Sequence, residues 1–158
     1  MIKTIWSVSC AFLLLALATP ALAEEQATTG EPIDPALAAE LGADVYGMRQ
    51  YVIAFLKAGP NQGGDPEEIQ ATQAAHLAYI RQMAEDGTLV LAGPFMDRGD
   101  MRGIFVFAVD DLAEAETLTA ADPAVRAGRL AMELRPWYGS AALMQVNSIH
   151  ERIARENP

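Results

Sequence analysis

The chain has 158 residues, with 11 Lys and Arg against 21 Asp and Glu and a formal net charge of −10. That acidity argues against nucleic acid and anionic membrane surfaces as partners, and it also serves ordinary solubility. The single cysteine, Cys10, lies in an N-terminal leader, so disulfides, thiolate catalysis and cysteine-based metal sites are excluded from the remainder.

The leader spans residues 1–23. Lys3 makes a short basic start, Ile5 to Ala18 is an uncharged apolar run, and Ala21-Leu22-Ala23 is a small-residue cleavage signal. The pattern is that of a secretory signal peptide, too short and wrongly flanked for a transmembrane helix. It predicts a periplasmic or secreted chain, cleaved near Ala23 and free of the membrane thereafter. What remains has the length of one domain. Residues 24–47, rich in Ala, Glu, Thr and Pro, form an N-terminal arm with a helical turn or two from Pro35 to Leu41.

The core begins at Met48. Gln50 to Leu56 is β-branched and aromatic and stops at the turn signal Gly59-Pro60. Asn61 to Asp65 is a Gly-rich connection without the spacing of a phosphate-binding loop. Asp65, Pro66, Glu67 and Glu68 open a helix that runs to about Asp86 and stops at Gly87. A strand from Leu89 to Ala92, a turn at Gly93-Pro94, a polar loop to Asp100 and a strand from Gly103 to Val109 follow. Asp110 or Asp111 caps a second helix, Leu112 to Ala121, which Asp122-Pro123 ends. The last strand runs from Leu130 to Arg135, before Pro136. The order β-α-β-β-α-β predicts an α+β, ferredoxin-like domain with an antiparallel sheet. In the tail, residues 140–158, Leu143, Val146, Ile149 and Ile153 recur at steps of three and four, the mark of a packed amphipathic helix.

The first strand is apolar on both sides, with Tyr51, Ile53 and Phe55 on one and Val52, Ala54 and Leu56 on the other. Ile104, Val106 and Ala108 against Phe105, Phe107 and Val109 repeat the pattern. Such strands are buried on both faces, yet two helices cover only one. The arm or the tail could supply the second cover. A second copy of the sheet is more economical, so a homodimer with facing sheets is expected.

His76 heads the residues that can carry chemistry. At about 100° per residue, Ile69, Ile80 and Met83 fall within roughly 40° of it, and Glu67 and Glu85 fall opposite. His76 therefore points at the sheet, where it is either an inert hydrogen-bonded core residue or a poised acid/base. Asp122 is its best-placed partner and would hold the ring tautomer. Asp97 is a second candidate carboxylate, in the loop after Gly93-Pro94. Tyr51, Phe95 and Trp137 are candidate walls of an apolar pocket. Only His76 and His150 could ligate a metal through imidazole, and no ligand spacing joins them, so no metal is expected. Ser140 and Ser148 sit in no nucleophile elbow, and no GxGxxG follows a strand. A lone His–Asp pair needs no cofactor, so none is expected.

Six fragments carry a resemblance: Tyr51 to Asn61 (YVIAFLKAGPN), Ala75-His76-Leu77, Leu91 to Pro94 (LAGP), Arg102 to Phe105 (RGIF), Ala121 to Gly128 (ADPAVRAG) and Arg135 to Tyr138 (RPWY). In this order they resemble the YCII-related family, over a domain of residues 48–139. The resemblance implies a ferredoxin-like domain that dimerises into an α/β barrel, with a His and an Asp meeting in a cleft. Carried over, these are His76 and Asp122, with Gly93 and Pro94 shaping the cleft wall. The implied activity is lyase- or isomerase-type acid–base catalysis on a small cyclic or phenolic molecule. A binding module for a small ligand, or a structural dimer, are the alternatives. The leader, the arm and the tail depart from the minimal family pattern.

Overall fold

A computed structural model of the chain describes residues 33–97 and 99–156. The expected signal peptide with its expected cleavage near Ala23, Cys10 and the arm as far as Pro32 lie outside the described residues. The arm from Ile33 onward carries a short helix, α1 (Pro35–Glu40), whose first amides at Ala36 and Leu37 donate to the Asp34 carboxylate at 2.9 and 3.0 Å. The domain then runs β1 (Met48–Ala58), α2 (Pro66–Glu85), β2 (Leu89–Pro94), β3 (Met101–Phe107), α3 (Leu112–Ala121), α4 (Pro123–Arg126) and β4 (Leu130–Ser140). A 3₁₀ turn, Ala141–Gln145, leads into α5 (Val146–Ile153). All pairings are antiparallel and the sheet order is β2-β3-β1-β4. This is the ferredoxin-like α+β fold.

Local chemistry explains the helix starts. Asp111 caps α3 by accepting from the Glu114 amide at 2.9 Å. Asp65 stands at the N-cap of α2 with extended backbone but makes no side-chain cap bond, so Pro66 and the acidic first turn define that start.

All four strands differ in their bounds from those read off the sequence. β2 runs through Gly93 and Pro94 rather than turning there, because they pair with Ile104 and Gly103 of β3 at the sheet's edge. β1 gains two residues at each end because β4 pairs with it from Met48↔Ser140 to Ala58↔Leu130. β4 passes through Pro136 rather than stopping before it, since β4 is an edge strand, where a missing amide is tolerated. β3 starts at Met101, paired with Lys57 beyond a bulge after Leu56, and ends at Phe107 rather than Val109. α4 is an element that the sequence reading did not include.

The sheet has two different faces. Val52, Ala54, Leu56, Phe105 and Phe107 pack under α2 and α3 with Met83, Leu89 and Ala115. On the other face Tyr51, Val90 and Val106 are buried, and Leu143 and Met144 of the 3₁₀ turn pack against them. α5 lies beside edge strand β2, where Asn147 Nδ2 donates to the Leu89 carbonyl at 2.8 Å. The C-terminal segment thus covers part of the second face and occupies an otherwise open edge.

The end of β1 is locked to the turn before β4. Gly59 and Asn61 amides donate to the Arg129 and Gly128 carbonyls, both at 2.9 Å. A Cβ on Gly59 would lie 2.2 Å from the Gly128 oxygen. Gly59→Ala is therefore expected to cost about 2 kcal/mol, read by urea unfolding; wild-type stability would show that this junction has slack.

Candidate functional site

Asp122 is held by its own backbone. Pro123 disfavours helix at the preceding residue, and Asp122 accordingly adopts φ −61°, ψ 125°. That extended residue ends α3 and begins α4. Its carboxylate accepts from the Ala124 amide at 2.7 Å, capping α4. It is also completely buried, at 0% exposure, and a buried charge must be partnered.

The partner comes from α2. His76, 6% exposed, places Nδ1 2.9 Å from Asp122 Oδ1 and 2.8 Å from Oδ2. An ionised carboxylate only accepts, so Nδ1–H donates and Nε2 keeps its lone pair when the ring is neutral. The imidazole stacks on Phe105 of β3, with centroids 6.1 Å apart and planes at 24°. Nε2 has no hydrogen-bond partner among the described residues.

His76 lines a cleft of about 490 Å³ between α2, the end of β2, β3 and the turn before β4. Leu56, Leu77, Ile80, Phe105 and Leu130 make its apolar wall. Gln62, Thr72, Gln73 and Arg129 add polar groups. The cleft has the size and character of a small-molecule site. Among the described residues, no three His, Cys, Asp or Glu side chains gather as a metal site would gather them.

Three tyrosines are perturbed: Tyr138 is raised by its hydrogen bond to Asp44 at the surface, and Tyr79 and Tyr51 are raised chiefly by burial. Tyr79, one turn beyond His76, is pushed above its ordinary value by burial and then by the Asp122 charge. Its hydroxyl donates to the Leu118 carbonyl at 3.1 Å, which ties α2 to α3. Tyr51 is raised by burial, with the Arg49 charge opposing, and donates to the Ser140 carbonyl at 2.9 Å.

The residues named from sequence divide sharply. His76 and Asp122 meet, and Gly93 and Pro94 line the same cleft. Tyr51 and Trp137 do not line it. Side chains alternate along a strand, so Tyr51 turns away from Val52 and the helices and packs in the opposite layer. Trp137, its partner in β4, lies 5.7 Å from it ring to ring. Phe95 is 44% exposed and outside the cleft. Asp97 also lies outside it, and accepts from the Gly99 amide at 3.2 Å. Sequence reasoning missed Gln62, Thr72, Gln73 and Arg129. Thr72 and Gln73 have a legible signal, lying four and three residues before His76 on the same side of α2.

His76→Ala leaves the Asp122 carboxylate buried with only its cap bond. A loss of about 3 kcal/mol is expected, measured by chemical denaturation. His76→Asn, which keeps an amide donor for Asp122, should recover most of that loss. Equal losses in both variants would mean that the pair does not carry the stability.

A sequence model of the YCII-related domain matches residues 50–138. No curated protein matches the chain. Among solved structures, a similar chain is 5-chloro-2-hydroxyhydroquinone dehydrochlorinase from Burkholderia phenoliruptrix AC1100, in complex with 2,5-dihydroxybenzoquinone. It is 24% identical, and the match covers 56% of this chain and 93% of that one with a TM-score of 0.42.

Proposed function

The chain belongs to the YCII-related domain family, and from that premise we propose that the His76 cleft is an active site for cofactor-free acid–base catalysis, of lyase or isomerase type, on a small cyclic or phenolic molecule. The supporting observation is one arrangement: His76 has Nδ1 tied to Asp122 and Nε2 unpartnered on an apolar-walled cleft. Nε2 is a base whose orientation is set before substrate arrives. It takes a proton from a C–H or O–H bond, and that bond's electron pair becomes a new π bond in the substrate. In isomerisation the pair of an adjacent π bond of the substrate shifts onward to the next atom, and the imidazolium returns the proton to that atom. Alternatively the adjacent substituent leaves with its electron pair as an anion, which is elimination, and the imidazolium passes its proton to solvent. Asp122 stabilises the charged ring in both cases.

The proposal keeps the chain as an exported protein acting after cleavage near Ala23. It also keeps the homodimer with facing sheets. Phe55 and Ile104 remain half-buried on the face opposite the helices, outside the cluster that Leu143 and Met144 pack against, and Ile53 within that cluster is also only half-buried.

A screen of lactones and phenolic compounds tests the activity. With a converted substrate in hand, His76→Asn should lower kcat by about 10²- to 10⁴-fold with the fold retained by circular dichroism. Unchanged turnover in the variant would remove His76 as the base, and ligands that bind without conversion would make the cleft a binding site. Light scattering at micromolar concentration should give the dimer mass; a monodisperse monomer contradicts the facing-sheet assembly.

A further inference from the structure

The His76 cleft does not end at its polar rim. A second cavity of about 440 Å³, formed by Pro60 to Asp65 and the start of α2, adjoins it. Gln62, Ile69, Thr72 and Arg129 line both. Arg129 is therefore the charged side chain common to an apolar inner chamber and a polar outer one.

The chain around it is acidic, with a formal net charge of −10. Arg129 is half-buried as a residue, and its guanidinium donates to the Gly63 carbonyl at 3.1 Å and the Gln62 carbonyl at 3.4 Å, both at the exposed side. Those are neutral acceptors. No carboxylate among the described residues forms an ion pair with it, whereas Lys57 and Arg135 both pair with Glu133. Two backbone carbonyls fix the plane of a fork that has five N–H donors, leaving donors and a full charge uncommitted. Arg102 also lines the inner chamber, but it alternates with Gly103 and Phe105 along β3, which places its side chain on the opposite face of the sheet. Asp65 and Glu68 line only the outer cavity, so an anion is favoured at the junction and disfavoured farther out.

We infer that Arg129 is a specificity-determining residue that selects an anionic substrate, such as a ring carboxylate or phenolate, by holding its negative group at the junction of the two cavities while the ring lies against Leu56 and Phe105 near His76. This deepens the active-site proposal and rests on it. The Gln62–Gly63 carbonyls act as the brace that orients the guanidinium, a role in which arginine and lysine are not interchangeable.

The test uses two probes of equal ring size, 4-hydroxybenzoate and the neutral 4-hydroxybenzyl alcohol, with binding measured by calorimetry to the full chain, its Arg129→Gln and its Arg129→Lys variants. The wild type should prefer the anion. Arg129→Gln should weaken 4-hydroxybenzoate by about tenfold to a hundredfold and change the alcohol less than about twofold, with Arg129→Lys between. If the wild type binds both probes alike, Arg129 does not select charge and the inference fails while the active-site proposal stands. If Arg129→Gln weakens both probes equally, Arg129 only braces the loop and the inference again fails alone. If neither probe binds, the cleft takes no phenolic ring, and the proposed substrate class falls together with the inference.

Discussion

A carboxylate sealed from solvent is the constraint around which this domain is arranged. Asp122 has no access to water, so its charge must be met by protein donors or the fold loses several kcal/mol. One donor is local, the Ala124 amide at the start of α4. The other is His76 of α2, brought over the sheet by the packing of Met83 and Ile80 on the same helix face. The proline that breaks α3 is what aims the carboxylate, because it forces Asp122 out of the helical region. A helix break, a helix cap and a buried ion-pairing contact thus depend on a single dipeptide, Asp122-Pro123.

The same contact gives the cleft its chemistry. By engaging Nδ1, Asp122 decides which ring nitrogen is left to meet a ligand, and that nitrogen belongs to a residue lining an apolar chamber. Phe105 backs the ring and limits its rotation. The residues that stabilise the fold are here the residues that would position a base, so stability and the proposed activity meet at one side chain. The opposite face of the sheet has a different economy. There the Tyr51 and Trp137 rings meet at a tilt, Tyr51 bonds to Ser140, and the C-terminal segment supplies Leu143 and Met144.

Much of this was legible in the sequence, for identifiable reasons. The bounds of α3 follow from a capping Asp at one end and Asp-Pro at the other, both strong local signals. The direction of His76 follows from helical periodicity over a 20-residue helix. Of the walls of the cleft, Gly93 and Pro94 were legible through the family resemblance, and the others were not read as walls. Tyr51 was placed with His76 because it is large and aromatic, although the strand's alternation puts it on the other side of the sheet. Arg129 precedes β4 in a turn with no periodicity, and its position depends on the close approach of Gly59 to Gly128, a contact between segments about 70 residues apart in the chain. The reach of β4 past Pro136 depended on its being an edge strand, which is a property of the whole sheet.

The central claim is that Asp122 fixes the His76 ring with its proton on Nδ1 and its lone pair on Nε2. Nitrogen-15 NMR of the full chain, labelled at histidine and recorded where the ring is neutral, reads this directly, with His76→Asn to assign the signals. The account predicts that the proton-bearing nitrogen of His76 is Nδ1, and that its signal moves in Asp122→Asn. A proton on Nε2, or an even mixture of the two tautomers, would contradict it.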